Sequence, residues 1–307
     1  MSLQYASGTR VNVTFSTTAT GLTGKREILY NLGLALQDAG WDITTGSLTP
    51  TTDSIIFGSQ YTPDSNLRMK VNIDTASTNC CRIRAMRYSD ELQGTNVASG
   101  MFLVPAVSKN WRIIANRHQC FIFETAGNNT GSIAYFGTPW IPSWQHGVVT
   151  ECYFSYANRI SDNTTTAVGS FRVNLRGSYQ NAHGNLYANW NNVIIDHFNN
   201  ISNVASSGLG LMAFHGSSLQ QAAEVCKEWA DGTELMYDPL IKWPDTAVAS
   251  QKARIKGQLW DAAIISGSYA TEQTFTDGNG IKWYVFTDNS PIDNTTFGPG
   301  TLLLRVP

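Results

Sequence analysis

At 307 residues, with 42% hydrophobic and 14% charged side chains, the chain is long enough to bury a sizeable core without disulfide or metal staples. Its charged fraction lies well below the roughly 25% of an average soluble protein. A net charge of −2 argues against binding nucleic acid or a membrane surface by electrostatics. Asn, Thr, Ser and Gly stand in for the missing charge, and nine Trp, twelve Tyr and thirteen Phe favour strands and turns over helices.

The segment Met1–Arg10 has no basic stretch followed by an apolar one, so no secretory signal is expected. No apolar run approaches the roughly 18 residues of a membrane span. The five cysteines (Cys80, Cys81, Cys120, Cys152 and Cys226) are an odd number without CxxC spacing. Cys120 and Cys152 sit in apolar runs, where a buried thiol is expected. Adjacent Cys80 and Cys81 point to opposite faces if extended, which disfavours shared metal ligation. All five read as reduced thiols of a cytosol-made protein, and the sequons at Asn163 and Asn294 as consequences of Asn/Thr richness.

The first clear element is a helix. Ile28, Leu32, Ala35, Leu36 and Ala39 form one apolar stripe. Thr23 is placed as its N-cap and Gly40 as a left-handed residue closing it. Trp41 then anchors the exit against the core. Strands are expected over 54–59, 67–74, 80–88, 101–107, 111–124 and 132–137. The stretch Arg68–Asp74 alternates polar and apolar, predicting one buried and one solvated face. Arg82, Arg84 and Met86 share one face of the next strand, Cys81, Ile83 and Ala85 the other. The 111–124 run, with Phe121 and Phe123 opposite Ile122, is apolar on both faces, as in a strand covered twice.

The segment Thr138–His146 carries two prolines and two tryptophans, which marks a packed linker or a contact loop. A domain boundary is placed there. Further strands are expected over 150–157, 168–176, 186–196, 209–215, 253–265, 273–276, 281–287 and 301–306, with a short helix at 220–230. Thr276-Asp-Gly-Asn-Gly-Ile281 reads as a hairpin turn. The expectation is a β-rich α+β fold. Residues 1–145 form a domain with an N-terminal helix packed on an antiparallel sheet; 146–307 form a second, mainly antiparallel β region.

No HxH or HExxH spacing occurs among His118, His146, His183, His197 and His215. His118 and Cys120 on one strand face make a nucleophile pair conceivable, but packing is the simpler explanation. Asp196-His197 reads as a strand end. Glu124 and Glu151 adjoin strands, as a glycosidase acid/base pair would. Gly21-Leu-Thr-Gly-Lys25 lacks the spacing of a phosphate loop and reads as a capping turn. Gly208-Leu-Gly210 leads into a strand, not a nucleotide-binding helix. Asp277-Gly-Asn-Gly280 lacks the continuing ligands of a calcium loop. No catalytic, metal or cofactor-binding residue is assigned, and no cofactor is expected. Trp140, Trp144 and Trp190 are the interface candidates, with a glycan platform as the alternative use of their rings.

Three stretches carry a family resemblance: the helix end Leu36-Gln-Asp-Ala-Gly-Trp41; Trp111-Arg-Ile-Ile-Ala-Asn116 leading to Phe121-Ile-Phe123; and the terminal part. In the last, Gly257-Gln-Leu-Trp-Asp-Ala262 precedes Trp283-Tyr-Val-Phe286, and the chain closes on Gly300-Thr-Leu-Leu-Leu-Arg-Val-Pro307. This order resembles a family of structural proteins in the particles of tailed bacteriophages. The resemblance implies a non-enzymatic virion component of the tail or baseplate, with a head decoration or neck role as the nearest variant. It further implies assembly in the host bacterial cytoplasm, with copies of itself and other virion proteins as partners. It implies no catalytic residue. A carbohydrate- or receptor-binding module and a cell-wall glycosidase are the readings from other classes.

Overall fold

A computed structural model describes residues 3–59, 69–87, 101–125, 133–138, 140, 154–157, 194–197, 200–203, 210–212, 236–237, 240–244, 253–266, 272–287 and 300–307. Among them the fold is α+β and β-rich, with one helix and antiparallel sheets. The described residues fall into two compact units, one within Ala6–Val168 and Asn189–Ala205, the other within Met1–Tyr5, Gly169–Ala188 and Ser206–Pro307. The boundary expected at 145/146, the helix expected at 220–230, and the strand expected at 168–176 lie outside the described residues.

In the first unit, β1 (Val11–Thr17) is followed by α1 (Gly21–Asp38), β2 (Asp42–Thr45) and β3 (Ser54–Gly58). Next come β4 (Met69–Asp74), β5 (Cys81–Arg87), β6 (Met101–Leu103), β7 (Lys109–Asn116) and β8 (Gln119–Glu124). The unit is completed by β9 (Ile133–Gly137), β10 (Phe154–Ala157), β11 (Ile194–His197) and β12 (Asn200–Asn203). One sheet has the order β1-β7-β8-β9-β10-β11-β12 and another β2-β3-β4-β5-β6. A single core joins Ile28, Leu32, Leu36 and Trp41 to Phe57, Val71, Ile73 and Ile83 of the second sheet. Trp111, Ile113, Cys120, Ile122 and Phe136 of the first sheet complete it.

The helix ends as its sequence predicts. Gly40 takes φ +90°, Gly40 N–H bonds the Gln37 carbonyl, and Trp41 N–H bonds the Leu36 carbonyl. These are the two bonds of a Schellman motif. The start differs. Thr20, not Thr23, is the capping residue, and its side chain makes no capping bond. Instead Glu27 reaches back to accept from Thr18 N–H at 2.7 Å and from the Thr18 hydroxyl.

The run 111–124 is not one strand. It folds into the β7–β8 hairpin with Asn116 opposite Gln119, and His118 lies in the two-residue turn rather than mid-strand. Neither Arg117 nor His118 adopts a positive φ, so the Asn-Gly or Asp-Gly signal of a tight hairpin is missing. The Asn116 side chain supplies the closure, accepting from His118 N–H at 2.8 Å and Gln119 N–H at 3.0 Å. The expectation of two apolar faces does hold on β8. Cys120 and Ile122 lie in the core, and Phe121 and Phe123 on the other face are buried too.

In the second unit the strands are β13 (Gly210–Met212), β14 (Met236–Tyr237), β15 (Leu240–Pro244) and β16 (Ala253–Gln258). They continue with β17 (Ala262–Ser266), β18 (Thr274–Thr276), β19 (Lys282–Thr287) and β20 (Gly300–Arg305). The sheets run β13-β15-β16 and β14-β17-β20-β19-β18. The expected strand 253–265 is broken at Asp261, which is buried at φ +46°. Ala263, Trp283, Val285 and Leu303 form a small core, and Leu3 packs on it. The first residues of the chain thus complete this unit: Asp261 N–H bonds the Gln4 carbonyl at 2.8 Å, and the Arg305 guanidinium sits 4.8 Å above the Tyr5 ring.

Candidate functional site

The chemistry-bearing residues of the first unit gather in two places. The first is a charged cluster where α1 meets β3, β4 and β5. The alternation of β4 sets Lys70, Asn72 and Asp74 on one face, and the register places Asp74 opposite Arg82 and Asn72 opposite Arg84. Asp74 accepts from Arg82 Nη2 and from Arg84 Nη2, each at 3.0 Å, and from Ala76 N–H at 3.0 Å. Asn72 accepts from Arg84 at 2.9 Å and donates to Ser54. The polar face of β4, expected to be solvated, is therefore buried at Asn72 and Asp74. Opposite charges on the neighbouring strand compensate the loss of water there.

Lys25 enters the cluster from the helix. It is buried, and Nζ donates to the Thr75 and Ser77 carbonyls at 2.7 Å each. Gly24 before it serves packing. A Cβ on Gly24 would stand 2.1 Å from the Ala19 carbonyl oxygen and 2.7 Å from Pro105 Cβ. Gly24 thus lies where the helix start closes on Ala19 and on Pro105, and the lysine that follows is turned inward onto backbone. At the rim, Arg26 grips Asp53 with two 2.8 Å bonds. Asp53 also accepts from the Thr75 hydroxyl at 2.9 Å. These bonds, that from Arg26 foremost, hold its carboxyl down at about 2.

Cys80 and Cys81 are buried free thiols at the edge of this cluster. The Cys80 thiol donates to Ser77 Oγ at 3.0 Å. Burial, with the Asp74 charge second, pushes the Cys81 thiol far above its usual range, so it is no thiolate nucleophile at neutral pH. Four cations (Lys25, Arg26, Arg82, Arg84) surround two carboxylates (Asp53, Asp74). Their bonds fasten the 75–80 loop to the helix and the sheet. The arrangement is a clamp on backbone.

The second place is the 116–119 turn. His118 is buried and held neutral, its pKa lowered to about 3 by burial and then by the adjacent Arg117 charge. Its carbonyl accepts from Thr138 N–H at 2.8 Å. Cys120, on the strand after it, is buried and its thiol is raised by desolvation. A turn residue and a strand residue do not share a strand face, and a buried imidazole with so low a pKa is too weak a base to deprotonate a thiol that burial holds protonated. Lys109 Nζ pairs with Glu124 at 2.9 Å, across the hairpin from Trp111. Glu151, the other carboxylate considered with it, lies outside the described residues.

No protein-family model and no curated protein matches this chain.

Trp140 is half-buried and stands in an isolated β-bridge; Trp144 and Trp190 lie outside the described residues. Asp196 and His197 are the last residues of β11, with His197 opposite Asn200. Gly210 begins a strand, as expected. Asp277 serves its own turn: its carboxylate accepts from Asn279 N–H at 2.8 Å, Ile281 N–H at 3.0 Å and Trp283 Nε1 at 2.9 Å. Burial alone would raise this carboxyl, but the three bonds together hold it below its ordinary value. The described residues contain no group of three or more His, Cys, Asp or Glu placed to hold a metal ion, and no described helix is long and apolar enough to cross a membrane. The clamp itself escaped sequence reading, because it joins residues about 50 positions apart, as in the Lys25–Thr75 bond. The inward-facing lysine has no local signature.

Proposed function

We propose that the chain is a non-enzymatic structural component of a tailed bacteriophage particle, in the tail or baseplate. It is made in the host bacterial cytoplasm and assembles there with copies of itself and with other virion proteins. The resemblance at Leu36–Trp41, Trp111–Phe123 and Gly300–Pro307 supports this reading. One structural observation supports it most: among the described residues, the candidate chemical groups hold the scaffold together. Lys25 fastens a loop, His118 is buried neutral in a turn, Cys120 is buried in the core, Glu124 is paired with Lys109, and Asp277 closes its own hairpin. A charge-poor composition rich in Asn, Thr and Ser suits extended polar contacts that desolvate few charges.

The half-buried Trp140 marks a contact point, since aromatic anchors carry a disproportionate share of interface energy. A head decoration or neck position is the nearest variant. The same ring also supports, as a second reading, a carbohydrate or receptor contact of the virion. The experiment is the double substitution Trp140→Ala with Trp144→Ala in the phage. Fewer copies per purified particle are expected, with unchanged circular dichroism of the isolated chain. An unchanged copy number would overturn the role assigned to these residues. Binding of the wild-type chain to a glycan array that vanishes in the double variant would favour the second reading.

A further inference from the structure

We propose that β1 is an open docking edge that pairs antiparallel with the same strand of a second copy of this chain, about a two-fold axis at Thr14. Among the described residues β1 ends its sheet, with β7 as its one neighbouring strand. Edge strands are ordinarily guarded by charge, proline, a bulge or brevity. The other described edges conform: β2 carries Asp42 and a register shift, β16 carries Arg254 and Lys256, β6, β13 and β18 are three residues long and β14 two, and β12, though uncharged, is four. By contrast β1, Val-Asn-Val-Thr-Phe-Ser-Thr, is seven residues long without charge, proline or glycine. Its register with β7 runs from Val11 to Thr17 without a shift.

The direction of its backbone groups follows from the neighbouring ladder. Thr125 N–H bonds the Asn110 carbonyl and Ser108 N–H bonds the Thr17 carbonyl. Even-numbered residues of β7 therefore turn their backbone groups to β8, and odd-numbered residues turn theirs to β1. Through the register, Val11, Val13, Phe15 and Thr17 face β7, and Asn12, Thr14 and Ser16 direct N–H and C=O outward. Thr14 and Ser16 are exposed, and Val13 is 38% exposed although it lies on the core-side face.

One register uses all three outward residues. Centred on Thr14, it sets Thr14 against Thr14, Asn12 against Ser16, and Val13 against Phe15. The three directly bonded positions supply roughly six ladder bonds, two per bonded pair. Val13–Phe15 is a favourable β-branched–aromatic cross-strand pair, and no like charges meet. Continued one residue further, the register places Arg10 opposite Thr18, whose N–H is bonded by Glu27. The Arg10 guanidinium is held by its own chain, donating to the Ala6 and Gly8 carbonyls, so the pairing brings no like charges together at either end. This two-fold self-complementarity selects a second copy as the occupant. The inference rests on the assembly reading only in taking that copy as the biological partner.

The test uses the purified full chain. Sedimentation velocity is expected to show a species of twice the 33.7 kDa chain mass. Mild oxidation of Thr14→Cys is expected to give a covalent dimer. Ser16→Cys is expected to give none, since the two Ser16 Cα atoms would stand about 13 Å apart along the strands, beyond disulfide reach. Thr14→Pro removes one outward N–H and is expected to yield monomer with unchanged circular dichroism; should it fail to fold, Thr14→Lys replaces it. A wild-type monomer at every concentration, equal cross-linking of the two cysteine variants, or a dimer that survives the Thr14 substitution overturns the proposal. A solution monomer with normal copy number in particles refutes the edge pairing alone. A Thr14-linked dimer absent from particles refutes the particle reading alone.

Discussion

Trp41 Nε1 donates to the Asn116 carbonyl at 2.9 Å, tying the residue that leaves α1 to the turn between β7 and β8. The same indole meets Phe136 edge-on, with ring centroids 5.6 Å apart. One side chain therefore joins the helix exit, the hairpin turn and β9. Trp41→Phe retains an aromatic ring and deletes the donor. The expected cost is about 1–2 kcal/mol, from the loss of one buried hydrogen bond. Chemical denaturation should show a lower midpoint at unchanged slope. An unchanged midpoint would remove this bond from the account of the fold.

Lys25→Met tests the clamp. The Thr75 and Ser77 carbonyls lose their shared donor, and the expected destabilisation is about 3 kcal/mol. Amide exchange in the 75–80 loop should accelerate more than exchange in β8. A uniform change across the unit would show that Lys25 acts through general packing rather than on this loop.

His118 sets an acid dependence. Its folded pKa is about 3 and its ordinary value 6.5, so the unfolded state binds the extra proton between those pH values. Stability from this source is complete above pH 6.5 and falls as pH drops towards 3, by up to about 1.4 kcal/mol per pH unit. His118→Asn should flatten the stability–pH curve over that window. A curve of the same slope in the variant would contradict the buried neutral histidine. The Arg26–Asp53 pair acts lower. Its contribution is present above pH 3.8 and is lost as pH falls through about 2.

Two glycines give a contrast within one chain. Gly24→Ala drives a methyl group into the Ala19 backbone and is expected to cost on the order of 3 kcal/mol. A Cβ on Gly278 meets nothing within 4 Å, so Gly278→Ala should lie within about 0.5 kcal/mol of neutral. Melting temperatures of the two variants decide it, and similar values would refute the close crossing at Gly24.

Periodicity carried the helix, its Gly40 ending and the role of Trp41, because these depend on neighbours in sequence. The Asp277 hairpin was legible for the same reason, its Asp-Gly-Asn-Gly run naming the turn. The β7–β8 turn was hidden, since Asn116 closes it with a side chain and neither turn residue takes a positive φ. β1 was missed as well; its apolar residues are few and interleaved with Asn, Thr and Ser, and its partner β7 lies about 100 residues away, as in the Asn12–Arg112 bond. The clamp at Asp74 was half visible. The shared face of Arg82 and Arg84 followed from alternation, but the buried carboxylate beneath them came only with the register of β4 against β5. Of the interface candidates, Trp140 is the one the described residues include.

The most direct measurement of the central claim is the absolute number of copies of this chain in purified phage particles, by quantitative mass spectrometry against a major capsid standard. The structural reading predicts a fixed number per particle, greater than one and constant between preparations. A chain abundant in the infected cell and absent from purified particles would contradict it.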